Sequence, residues 1–226
     1  MSDNSFFREV DEAVRHDRFK ALWDKYGVYI LVGATLIIAS VASYKGWVYW
    51  RDRQAQEAGA EFTQALTLET GKDEAKAREA FSSLAESGPS GYRVLARFQL
   101  AANEAKAGET DKAVATYDTL VTDGKVDPIL QGLATVRAAG LRTDSADYAE
   151  MERRLKGLID TNSPWRFSAR ELLGLSAYSH DDLPAAQTQF TALASDQGTP
   201  PNLRERANVL LALIAGTLAA SGATAK

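Results

Sequence analysis

RELLGLSAYSHDDLPAAQTQF, Arg170 to Phe190, reads as two helices separated by a short polar turn at Ser179 to Asp182. A small residue, Gly174, precedes a second one, Ala186, by twelve positions, and an aromatic, Phe190, follows four later. Small residues set on both arms of a helical hairpin let the arms approach closely, and the large residue then fills the gap toward the next hairpin. The same frame recurs upstream as Ala77-x3-Phe81-x2-Leu84, Ala113-x3-Tyr117-x2-Leu120 and Met151-x3-Leu155-x2-Leu158, against Ala186-x3-Phe190-x2-Leu193. The starts are separated by 36, 38 and 35 residues, and Ala65, Ala101, Ala139 and Gly174 stand twelve positions before them.

Self-similarity at such a period marks stacked supersecondary units. Helix breakers fall between the units, at Gly88 to Gly91, Gly124 to Pro128, Thr161 to Pro164 and Gly198 to Pro201. The Leu-Gly, Ala and Phe positions of the last copy resemble those of a tetratricopeptide repeat. The copy at Ala113, with Leu100, Ala101 and the turn Ala107 to Glu109, is nearly as regular; the one at Met151 is degenerate, and the first lacks a Leu before Ala65. Asn202 to Ala220 is expected to form a terminal helix covering the end of the stack. The fold expected is all-α: one N-terminal transmembrane helix, then a tetratricopeptide-like α-solenoid of about four helical hairpins and a C-terminal capping helix.

The transmembrane assignment rests on Tyr26 to Tyr44, nineteen consecutive uncharged positions in a chain that is 25% charged. As a helix the run spans roughly 28 Å, close to the hydrocarbon thickness of a bilayer. Trp23, Tyr26 and Tyr29 at one end and Tyr44, Trp47, Tyr49 and Trp50 at the other supply rings for both interfaces. Arg8, Arg15, Arg18, Lys20 and Lys25 precede the run, whereas only Lys45, Arg51 and Arg53 closely follow it. That excess favours a cytoplasmic N-terminus. Ser40-Val41-Ala42 has the pattern of a signal-peptidase site, but the charged leader and the length of the run favour retention as an anchor. Val209 to Ala220 is too short to span. The organisation expected is a charged cytoplasmic leader at 1–25, a signal-anchor helix at 26–50 and a periplasmic repeat domain at 51–226. Within the anchor, Thr35, Ala39, Ala42 and Gly46 form a stripe of small residues, a weak candidate for contact with another membrane helix. Upstream, Phe7, Val10 and Val14 share one face of a short helix that could rest on the inner membrane surface.

Composition excludes several activities. Acidic side chains outnumber basic ones and the formal charge is −4, which argues against general nucleic-acid binding. With no cysteine there is no disulfide, thiolate metal site or thiol nucleophile. The two histidines, His16 and His180, are isolated from each other in sequence, and His180-Asp181-Asp182 occupies a turn where polar residues are expected. No phosphate loop or nucleophile elbow is present, and Glu150, Glu152, Arg153 and Arg154 read as a solvated helix face. The expectation is a non-enzyme with no catalytic residue, no metal and no cofactor.

The order of features resembles the YfgM-like family of bacterial inner-membrane proteins: a charged leader, Tyr26-Gly27 opening the anchor, Gly46-Trp47-Val48-Tyr49-Trp50 closing it, then degenerate repeats to the end. The leader is longer than the shorter family versions have. The resemblance implies an ancillary subunit of the Sec translocon, aiding chaperone traffic to exported client proteins beside the translocation channel. It further implies a membrane-anchored periplasmic prolyl isomerase-like partner. An anchored repeat scaffold of another cell-envelope assembly is the alternative. In tetratricopeptide proteins the first helix of each hairpin lines the concave face, which assigns Phe62, Leu66, Leu95, Phe98, Leu133, Val136, Leu175 and Tyr178 to a partner groove. Their apolar character suits apolar or helical segments instead of a C-terminal carboxylate.

Overall fold

The computed structural model describes the backbone of residues 3–71 and 73–224, and side chains at residue 20, 23–71 and 73–219. Among the described residues it contains nine α-helices and no strand. These are α1 (Asp3–Thr70), α2 (Glu74–Ser87), α3 (Ser90–Lys106), α4 (Thr110–Thr122), α5 (Pro128–Arg142), α6 (Tyr148–Asp160), α7 (Arg166–Ser179), α8 (Leu183–Ser195) and α9 (Pro201–Thr224). The chain divides into two compact units, Met1–Glu57 and Ala58–Lys226. The side chains of Phe7, Val10, Val14 and His16 lie outside the described residues.

In the first unit, α1 is long and apolar enough to cross a membrane. Its apolar side chains point outward, with Val28 70% and Ile38 69% exposed. Leaving such side chains in water forgoes about 1.5–3 kcal/mol each of burial. The hydroxyls inside the run are satisfied within the helix: Thr35 and Ser40 each donate to the carbonyl four residues back at 2.8 Å. At one end the Trp23 indole lies over Gly27, where a Cβ would meet it at 3.3 Å. At the other, the Arg51 guanidinium stands 5.2 Å from the centre of the Trp47 ring.

The second unit is built on the repeat frame. Ala65, Ala101, Ala139 and Gly174 are buried, as are the Ala/Met, aromatic/Leu and Leu positions that follow them, except that Leu158 is half-buried. The first hairpin pairs the end of α1 with α2, bringing Phe62 onto Phe81 edge-on at 5.5 Å between ring centres. The next three are α3–α4, α5–α6 and α7–α8. Helices α5 and α7 also touch each other, as do α7 and α9. Thus α9 takes the place that a first helix would hold in a fifth hairpin, burying Leu203, Ala207 and Ile214 along one stripe.

Local chemistry explains the boundaries. Asp127, Asp147 and Asp182 each accept a hydrogen bond from a backbone N–H in the first turn of α5, α6 and α8. Pro128 and Pro184 sit in first turns, where no N–H is needed. Helices α3, α6 and α7 end in left-handed residues, Gly108, Asn162 and Asp181. In each case the following N–H returns to a carbonyl five residues back: Glu109 to Glu104, Ser163 to Leu158 and Asp182 to Ala177. Ser179, expected in the turn, is the last residue of α7, because this closure holds one more residue in the helix.

Neighbouring hairpins are tied at near-repeat spacing. Glu69 pairs with Lys106, Asp118 with Arg154 through both terminal guanidinium nitrogens, and Glu171 with Arg206 at 2.7 Å. Two glycines admit aromatics from the next hairpin. A Cβ on Gly59 would stand 2.6 Å from the Tyr92 hydroxyl, and one on Gly132 would stand 2.5 Å from the Trp165 indole. Tyr92 and Trp165 hold the same place in the frame, nine positions before Ala101 and Gly174.

Candidate interaction cleft

The first helices α3, α5 and α7 border a cleft of about 690 Å³. Its surface is mostly small and apolar: Ala102 and Ala105 from α3, Leu133, Val136 and Gly140 from α5, and Ser168 and Leu172 from α7. A Cβ added at Gly140 would meet nothing within 4 Å, so the glycine opens the cleft and is not required by packing. Tyr117 reaches the same space from α4. Burial pushes its phenol above the ordinary value; Arg137 draws it back down, and Glu104 adds a smaller upward push.

Three charged side chains line the cleft: Lys106, Arg137 and Glu171. Lys106 is engaged by Glu69 and Glu171 by Arg206. Arg137 is exposed and has no ion pair or hydrogen bond among the described residues. Sequence reasoning did not single it out: it stands one position beyond Val136, and the repeat frame gives that position no role. Only adjacency to the unpaired wall of α5 distinguishes it.

The eight groove residues read from the frame occupy several places. Leu133 and Val136 line the cleft. Phe62 and Leu66 pack at the first hairpin against the cluster of Ala65, Ala77 and Phe81. Phe98 is half-buried with its ring 5.8 Å from that of Tyr117, and Leu95 is 45% exposed. Leu175 and Tyr178 pack against the cluster formed by α7, α8 and α9. The stripe of Thr35, Ala39, Ala42 and Gly46 lies on α1 in the first unit, exposed at every position.

His180 closes α7, its Nδ1 2.8 Å from the carbonyl of Ser176 and 3.2 Å from the Ser179 hydroxyl. Among the described residues no three His, Asp or Glu side chains are grouped to hold a metal ion.

Paired helices in register, a cleft walled by first helices and aromatics seated on neighbouring glycines define an α-helical repeat protein, a class that typically binds other proteins without catalysis. The chain belongs to the tetratricopeptide repeat-like domain family, which matches residues 20–210. The match begins ahead of the apolar run and extends into α9. No curated protein and no solved structure matches the chain.

Proposed function

We propose that this protein is a single-pass scaffold of the bacterial inner membrane, with its leader, residues 1–25, in the cytoplasm and its repeat domain in the periplasm. It serves as an ancillary subunit of the Sec translocon. In this reading residues 26–50 anchor the chain in membrane lipid beside the channel, and the domain at 51–226 assists chaperone traffic to newly exported clients. Its partners are the channel and a membrane-anchored prolyl isomerase-like chaperone. The observation that carries the reading is the family match that takes in both an outward-facing apolar helix and the repeats behind it. The excess of Lys and Arg ahead of Tyr26 supports the orientation.

Purification of the full chain from mild detergent tests the proposal. Channel subunits should dominate the co-purified material. Recovery of a cell-envelope assembly complex without the channel would replace this reading with the alternative scaffold role.

A further inference from the structure

We infer that the cleft between α3, α5 and α7 docks an amphipathic α-helix from a partner protein, apolar on the entering side and carrying one carboxylate that pairs with Arg137. The inference rests on the scaffold reading and gives its interaction surface a chemical specificity.

The secondary structure of the occupant follows from what the cleft lacks. None of the residues lining it is Asn or Gln, and with Lys106 and Glu171 held in ion pairs only the side chains of Tyr117, Arg137 and Ser168 are left to face the many N–H and C=O groups of a bound strand. An extended segment entering it would leave N–H and C=O groups desolvated without partners. A helix satisfies its backbone internally and presents only side chains. Ala102, Ala105, Gly140 and Ser168 keep the walls low, so a helix can approach closely enough for its apolar side chains to reach Leu133, Val136 and Leu172.

The charge of the occupant follows from what the cleft leaves uncommitted. A ligand covering this surface takes water from Arg137, and a covered guanidinium requires an anionic partner. Lys106 and Glu171 are each neutralised by an ion pair of their own. Glu104, the acid whose field reaches Tyr117, already accepts from the Thr116 hydroxyl at 2.8 Å. The Tyr117 hydroxyl has no hydrogen-bond partner among the described residues and adds a neutral donor near the guanidinium. A carboxylate on the flank of the docked helix meets both needs.

The test uses the full chain in nanodiscs and a fluorescent synthetic helix of about five turns, with a leucine stripe at helical spacing and one flanking Glu. Comparison peptides replace that Glu with Gln or Lys, or break the helix with a central Pro. The Glu peptide should bind about tenfold more tightly than the Gln peptide, as expected for a charge-assisted pair. Arg137→Gln should erase the difference, and Arg137→Glu should shift preference to the Lys peptide. Gly140→Leu fills the cleft at a position with open space and should abolish docking without lowering the melting temperature. The inference is overturned if Arg137→Gln keeps the Glu preference, if the Pro peptide binds equally well, or if Gly140→Leu still binds. Because translocon co-purification is read on the unmodified chain, loss of one result leaves the other standing.

Discussion

Gly174 on α7 and Phe190 on α8 approach so closely that a methyl group on the glycine would stand 2.9 Å from the phenyl ring. The contact joins the two arms of the last hairpin at the two positions the repeat frame singles out. Gly174→Ala should destabilise the domain by about 1–3 kcal/mol despite the better helix propensity of Ala, because the fully buried ring has little room to retreat. Ala186→Leu, on the facing helix, should cost a similar amount. His180→Ala, at an exposed helix end, should stay within about 0.5 kcal/mol in the same urea titrations. Equal effects of all three would refute the frame.

The third hairpin offers a spectroscopic counterpart. Trp165 is the single tryptophan of the second unit, and its indole N–H donates to the Ile129 carbonyl at 2.8 Å while its ring covers Gly132. Gly132→Ala should dislodge the ring, shift its emission and lower stability by about 1–3 kcal/mol. Trp165→Phe should lose the hydrogen bond, at about 0.5–1.5 kcal/mol. An unchanged emission spectrum in Gly132→Ala would show that the ring is not seated there.

Asn162 and Asp181 hold left-handed backbone, at φ 54° and 61°, where glycine carries no Cβ penalty. Asn162→Gly and Asp181→Gly should each raise the urea midpoint, by about 0.5–1 kcal/mol of stability. A lowered midpoint in both would contradict the helix closures.

Stability should fall in acid. Hydrogen bonds from Lys112, then Arg78, hold the Glu109 carboxyl below its usual range. The Lys125 backbone N–H, then Arg97, does the same for Asp123, as Lys76 does for Asp73. A carboxylate depressed in the folded state contributes stability that is present above its unfolded value, about 4, and is lost as pH falls toward the folded one. Melting temperature should therefore hold between about pH 7 and 5 and decline below about pH 4. A profile flat to pH 2 would remove these ion pairs from the account.

Reporter fusions after Arg53 should be active only with an enzyme that requires export, and N-terminal sequencing should find residues 1–25 retained. A mature protein beginning at Ser43 would replace the anchor with a cleaved signal. Lys72, which should share the exported side, lies outside the described residues.

The helical frame was legible because it depends on residue size at fixed spacing. Ala65 to Phe81 and Gly174 to Phe190 obey the same rule that buries them. The breakers were legible for a similar reason, since Pro128 fixes its own φ and Gly108 takes up a left-handed backbone at no Cβ cost. The cleft was harder to read. Val136 and Phe98 look alike in sequence, but the first lines open space while the second leans on Tyr117. That outcome depends on how successive hairpins rotate, which no single helix encodes. The seating of Tyr92 and Trp165 on glycines was equally hidden, because each pair spans two hairpins.

Among the described residues the interior of the repeat unit falls into five clusters that follow one another along the chain, many of their positions filled by alanine. Damage to one such compartment should stay with its neighbours: the clusters around Phe81 and Phe190 share no residue, so a cavity opened at the first should not be felt at the second. Each hairpin can therefore exchange the side chains it shows to a visitor while its own compartment keeps it folded. A lineage can retune what the protein recognises one hairpin at a time, without rebuilding the whole.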